Sequence, residues 1–297
     1  MSGVPRDLDH HDLPHERSGP TRFAAQTSVE PTGADRFRAQ VHPSWWIVNG
    51  PNGGYVAAIV LRAIVAAVGD AARRPRSITL QYLRAPEAGP VDVEVHVERS
   101  GRSVTNVSAR MTQGDRLLVL ALAALATDRP SRVAFDEGDG LPTTAGGSPV
   151  PMPAQLSAAA PDPDRDVPMR GHYDLRWVLG DVPFSDRPSN DGTGRERRAR
   201  SGGWLRPAEA EPIDEVVLLA MSDAWVPPLF SRVDEPLAVP TIDLTVHFRR
   251  LPEDPLDHCF VLFDSPLAVG GYLVEHGRTW DRHGRLLAES RQLAVLA

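Results

Sequence analysis

The 297-residue sequence contains no lysine; all 32 of its basic positions are arginine. A lysine Schiff base and a phosphate-loop lysine are therefore excluded. Cysteine is nearly as scarce. Cys259 stands alone, so neither an intrachain disulfide nor a cysteine-built metal cluster can form. No apolar run approaches the ~20 residues that a membrane-crossing helix needs. The first 20 residues, MSGVPRDLDHHDLPHERSGP, lack the apolar centre of a secretory leader. There is no G-x-S-x-G nucleophile motif. Long basic runs are also missing, and the net charge of -7 disfavours nucleic acid and anionic membranes as partners. These absences lead us to expect a cytoplasmic protein with no metal and no cofactor.

Residues 1–30 are polar and rich in Pro, His and Asp, and read as a flexible arm. Its His10, His11 and His15 read as solvated tail residues, because nothing nearby would fix ligand geometry. A strand from Arg36 to Val48 is expected next, then Asn-Gly-Pro-Asn-Gly-Gly, a cluster suited to a helix start with Asn52 as cap. The helix expected over Tyr55–Ala72 is apolar almost all round, so it should be buried on most sides. Four strands follow. In one of them Val91, Val93, Val95 and Val97 alternate with Asp92, Glu94, His96 and Glu98, the period of a half-buried antiparallel strand.

Residues 131–168 change character to Pro, Ala and Asp, and read as a linker. A second block, 169–297, then matches the first, 31–130. It has strands at Tyr173–Val178 and Ser201–Arg206, a helix expected over Ile213–Trp225, and four more strands. The insertion from Ser185 to Arg200 reads as a solvated loop. The run Ser77-Ile-Thr-Leu sits where Thr241-Ile-Asp-Leu does, and Gly114 and Gly284 each turn the hairpin before a final strand. The pattern is an internal duplication of an α+β unit, in which a long buried helix needs a curved antiparallel sheet to cover it.

With these pieces in order, the sequence resembles the acyl-CoA thioesterase family of the thioesterase II type. The segments that carry the resemblance are GPNGGYVAAIVLRA, the ITLQYLRAPEAGPVDVEVHVERSGRS run, MSDAWVP, PTIDLTVHF and DRHGRLLAESRQLAVLA. The resemblance implies a double hotdog fold, acyl-CoA as substrate, a place in lipid metabolism and assembly into a homo-oligomer. It also implies a nucleophilic water bound by Asp223 at the end of the second helix, Thr241 at the start of the next strand and Gln292 in the last strand. Leu244 stands where the family pattern often has His, and together with the 185–200 insertion this departure bears on the acyl pocket.

The residue types suit that chemistry. A carboxylate in a partly apolar setting can act as a general base, and Asp223 follows Leu218, Leu219, Ala220 and Met221. A threonine hydroxyl can donate or accept, and a glutamine amide does both without titrating. An idle strand Thr and a solvent-facing Gln remain the plain alternatives. Backbone N–H groups at Gly53 and Gly54 could support an oxyanion at the first helix start; equally, these glycines could only allow tight packing. No Asp–His pair suited to a dehydratase lies near Asn49–Tyr55, and the histidines are too scattered for a metal enzyme. The competing function is a non-catalytic protein that binds acyl-CoA or lipid, since a fold does not fix an activity.

Overall fold

A computed structural model of the chain describes residues 19–138, 140–158, 166–183, 197–235 and 237–297. His10, His11, His15 and most of the 185–200 insertion lie outside the described residues. After a one-turn helix α1 (Arg22–Gln26), the first half forms β1 (Glu30–Gly33), β2 (Arg36–Val41), α2 (Gly53–Val68), β3 (Arg74–Tyr82), β4 (Gly89–Ser100), β5 (Val104–Gln113) and β6 (Arg116–Ala126). The second half forms β7 (Tyr173–Leu179), β8 (Arg200–Pro207), α3 (Glu215–Met221), β9 (Thr241–Phe248), β10 (Cys259–Val269), β11 (Tyr272–Trp280) and β12 (Leu286–Val295). All twelve strands join one antiparallel sheet in the order β1-β2-β4-β5-β6-β3-β9-β12-β11-β10-β8-β7.

Read outward from the β3–β9 junction, the order in one half mirrors that in the other. Leu80 lies directly opposite Leu244, the pair that the sequence match of Ser77-Ile-Thr-Leu with Thr241-Ile-Asp-Leu makes equivalent. The duplicated halves are thus related about this leucine pair. Next to it the hydroxyls of Thr79 and Thr245 lie 3.0 Å apart.

The sheet covers α2 and α3, and a single apolar core joins both helices to the inner faces of both halves. Asn52 caps α2 by accepting from the Tyr55 N–H, and Gly69, at φ 61°, ends it. Ile59, Leu61 and Ile64 are fully buried, and each contributes roughly 2 kcal/mol by leaving water.

Four expectations need correction. The strand foreseen to Val48 stops at Val41, because Pro43 supplies no N–H to a ladder and His42 caps a short turn through Trp45. The second helix, foreseen as a long element over Ile213–Trp225, is only the seven residues of α3. Asp214 caps it behind Pro212, and at its end the Ser222 hydroxyl donates back to the Leu218 carbonyl. Two long central helices are therefore not present; one long and one short helix serve instead. The arm foreseen over 1–30 includes structured residues, since Thr21 caps α1 and Phe23 buries edge-on against Trp45 at 5.8 Å.

The segment expected to link the halves also covers part of the sheet. Leu141, Val150, Met152 and Leu156 pack on Trp204, Phe260, Leu262 and Trp280, on the face turned away from the helices. Trp204 is fully buried, meets Phe260 edge-on at 5.1 Å and donates its indole N–H to the Pro151 carbonyl at 2.7 Å. Trp204→Ala should cost about 3–5 kcal/mol and leave residues 141–156 open to protease. Limited proteolysis with mass spectrometry checks this; cleavage unchanged from wild type would mean that the segment is held by other contacts.

Candidate active site

The two helices run so that the C-terminal end of α3 meets the N-terminal end of α2. Asp223, two residues past the end of α3, therefore sits at the positive end of a different helix. Its Oδ2 accepts from the Gly54 N–H at 2.9 Å and from Asn52 Nδ2 at 3.0 Å. Asn52 Nδ2 also reaches the Asp223 carbonyl at 2.6 Å. One side chain thus caps α2 through its oxygen and ties down the α3 end through its nitrogen.

On the other side, Gln292 Nε2 donates to Asp223 Oδ1 at 3.1 Å. The Thr241 hydroxyl donates to Gln292 Oε1 at 3.0 Å. The bulge between Leu293 and Ala294 in the β9–β12 pairing brings Thr241 to the same face as Gln292. All three residues singled out from the sequence thus join one hydrogen-bonded chain, Thr241 to Gln292 to Asp223. The first half lacks this arrangement. Ala121 lies opposite Leu80 as Gln292 lies opposite Leu244, so a methyl stands where the amide would be.

Gly53 and Gly54 are placed differently from the oxyanion expectation. The Gly54 N–H is taken by the Asp223 carboxylate. As arranged, this donor holds the acid. Both glycines are also forced by close approach. A Cβ on Gly54 would lie 2.4 Å from the Ala220 carbonyl oxygen, and one on Gly53 would lie 2.9 Å from Asp223 Oδ2.

Burial pushes the Asp223 carboxyl up to about 6, while hydrogen bonds from Gly54, Gln292, Gly53 and Asn52 pull the other way. As a whole residue Asp223 is half-buried. Because its folded value is raised, its contribution to stability is full below the unfolded value and is lost as pH rises through about 6. The ionised form that can accept a proton is then dominant at neutral pH. The Tyr82 hydroxyl donates to the Gly53 carbonyl at 2.9 Å, and burial followed by the Asp223 charge raises its own ionisation well above the phenol range.

Two participants escaped sequence reading. Asn52 was legible as a cap but not as a bridge to α3. Glu275 on β11 lies directly across from Gln292, and its Oε1 accepts from Gln292 Nε2 at 3.0 Å. The available signal was alternation: Glu275 shares the inward face of β11 with Leu273, Gly277 and Thr279.

Fold and site together define a duplicated antiparallel sheet around central helices, with one polar cluster in its second half. Sequence models for the two domains of acyl-CoA thioesterases match this chain, the N-terminal domain over residues 42–127 and the C-terminal domain over 151–296. The chain belongs to the acyl-CoA thioesterase family. An uncharacterized protein of Mycobacterium tuberculosis is 28% identical over 287 residues, spanning 88% of this chain and 90% of that one. A hot dog fold protein of unknown function from Alicyclobacillus acidocaldarius superposes with a TM-score of 0.80 at 24% identity, over 94% of this chain and 99% of the other. An acyl-CoA thioesterase II from Mycobacterium marinum superposes with a TM-score of 0.70 at 20% identity, over 93% and 98%. These superpositions establish the hotdog fold.

Proposed function

We propose that the protein hydrolyses acyl-CoA thioesters to the free acid and CoA, with Asp223 as general base and Gln292 and Thr241 positioning the attacking water. The observation that carries this reading is the chain Thr241–Gln292–Asp223 seated against the N-terminus of α2. The Asp223 carboxylate takes a proton from water as the water oxygen bonds to the thioester carbonyl carbon. The tetrahedral intermediate then collapses, the C–S bond breaks, and the departing sulfur recovers the proton from Asp223. Because Gln292 spends both amide hydrogens on carboxyl oxygens, its oxygen is fixed toward Thr241. The Thr241 hydroxyl gives its own hydrogen to that oxygen, and its lone pairs are left to accept a hydrogen from water.

The test is hydrolysis of a panel of acyl-CoAs of different chain length, followed by release of free thiol, for wild type and Gln292→Ala. Turnover of at least one substrate by wild type, reduced about 10²-fold in the variant, is expected, the scale that loss of positioning carries. Tight binding of acyl-CoA with no thiol released by wild type would favour a binding protein instead.

A further inference from the structure

The hydrolytic reading uses one carboxyl, but the structure places two on the same amide. Gln292 Nε2 donates to Asp223 Oδ1 at 3.1 Å and to Glu275 Oε1 at 3.0 Å. We propose that Glu275 is a further positioning residue of this site, one that acts through Gln292 and works as a neutral carboxylic acid. The inference rests on the reading of Asp223 as the base.

The geometry requires an acceptor at this place. An amide NH2 facing a single carboxylate has one hydrogen to spare, and in a buried setting an unmet donor lets the group turn. Glu275 takes the second hydrogen, and the flipped amide would turn its oxygen against the ionised Asp223 carboxylate. Thr241 closes the same constraint from the opposite end by donating to Gln292 Oε1. Three neighbours thus hold the amide in one orientation, and Asp223 receives an N–H rather than a lone pair.

The charge must also be accounted for. Glu275 is 9% exposed, and the groups that act on it from the packed elements are Asp223 beyond α3 and Asp264 on β10. On β12 its neighbour is the uncharged Gln292. The adjacent His276 faces Asp264 at 3.9 Å, on the opposite side of β11. Burial first, then Asp223 and Asp264, push the Glu275 carboxyl up to about 8. At neutral pH the pair therefore carries one negative charge, on Asp223. Ionising Glu275 would put a second negative charge on the amide that holds the Asp223 carboxylate, in a site where hydrolysis builds further negative charge, and the rate should fall.

The sign for stability follows the same shift. A carboxyl raised in the folded protein contributes stability at low pH and loses it as pH rises through its folded value. Glu275→Gln keeps the amide's acceptor but cannot ionise. Its melting temperature should therefore gain on wild type as pH rises from 6 to 9.

The experiment measures kcat and KM for wild type, Glu275→Gln and Glu275→Ala between pH 5 and 10, together with melting temperature against pH. For wild type, kcat is expected to rise through about pH 6 and to fall about tenfold per pH unit beyond about 8. Glu275→Gln should keep its plateau at least one unit further into alkali. Glu275→Ala should lower kcat about tenfold at neutral pH with KM little changed, because the amide loses its second anchor. The conservative variant should restore most of that loss. Superimposable alkaline limbs for wild type and Glu275→Gln would overturn the proposal. So would an unchanged pH dependence of the melting-temperature difference. The melting measurement needs no substrate, so it still decides the matter if wild type hydrolyses none of the acyl-CoAs tested, an outcome that would fall on the hydrolytic reading alone.

Discussion

Asp223→Asn lowers kcat/KM for acyl-CoA hydrolysis by about 10³-fold, the scale expected for loss of a positioned general base. The substitution removes the only ionised carboxyl in contact with Gln292 when Glu275 is neutral. It also disturbs orientation. Asparagine can place its oxygen where Asp223 Oδ2 accepts from Gly54 and Asn52, but its NH2 then confronts the NH2 of Gln292. Gln292 must turn over, and its nitrogen then faces Thr241. Stability should not fall with the rate. Ionised Asp223 is desolvated at neutral pH, and a neutral side chain of the same shape escapes that cost. Circular dichroism melts alongside thiol-release kinetics would separate the two effects. A rate within tenfold of wild type in a folded Asp223→Asn protein would remove this residue from the mechanism.

Gly54→Ala should destabilise the protein and disable the site together. The new Cβ would lie 2.4 Å from the Ala220 carbonyl oxygen and 3.0 Å from Asp223 Cβ, and both neighbours belong to the chain at the end of α3. Backbone cannot rotate aside as a flexible side chain can, so α2 and α3 must separate. Overpacking of this kind costs about 1–3 kcal/mol or more, roughly 2–4 °C of melting temperature per kcal/mol in a domain somewhat smaller than this one. Separation also lengthens the Gly54 N–H contact to Asp223, now 2.9 Å, and weakens the helix-end field on the carboxylate. The expected result is a melting temperature lower by several degrees and kcat reduced at least tenfold. An unchanged melt would show that the helices are less tightly seated than these distances require.

The path from sequence to site was uneven, for physical reasons. Asp223, Thr241 and Gln292 were legible through the family resemblance, which matches each at a local landmark: a helix end, a strand opening after Pro240, and a closing strand after a Gly284 turn. The duplicated order of strands was legible because the matched runs in β3 and β9 share a period and a sequence. The length of α3 was not legible. Its apolar run continues past Met221 through Ala224 and Trp225, which are buried outside the helix; burial and helix are separate facts that the same apolar pattern signals. Asn52 and Gly54 reach Asp223 across 171 and 169 residues, a convergence set by the crossing of two helices, which no local signal encodes. Glu275 follows the same rule. Its inward position could be counted from β11, but its partner Gln292 is chosen by strand register.

The central claim is that water held beside Asp223 attacks the thioester directly. A single turnover of an acyl-CoA in H2¹⁸O, with enzyme in excess, tests this most directly. Direct attack predicts free acid carrying one ¹⁸O atom in the first turnover and a peptide containing Asp223 without label. Unlabelled acid with ¹⁸O in the Asp223 peptide would contradict it by showing an acyl-enzyme anhydride, and no acid at all would contradict hydrolysis itself.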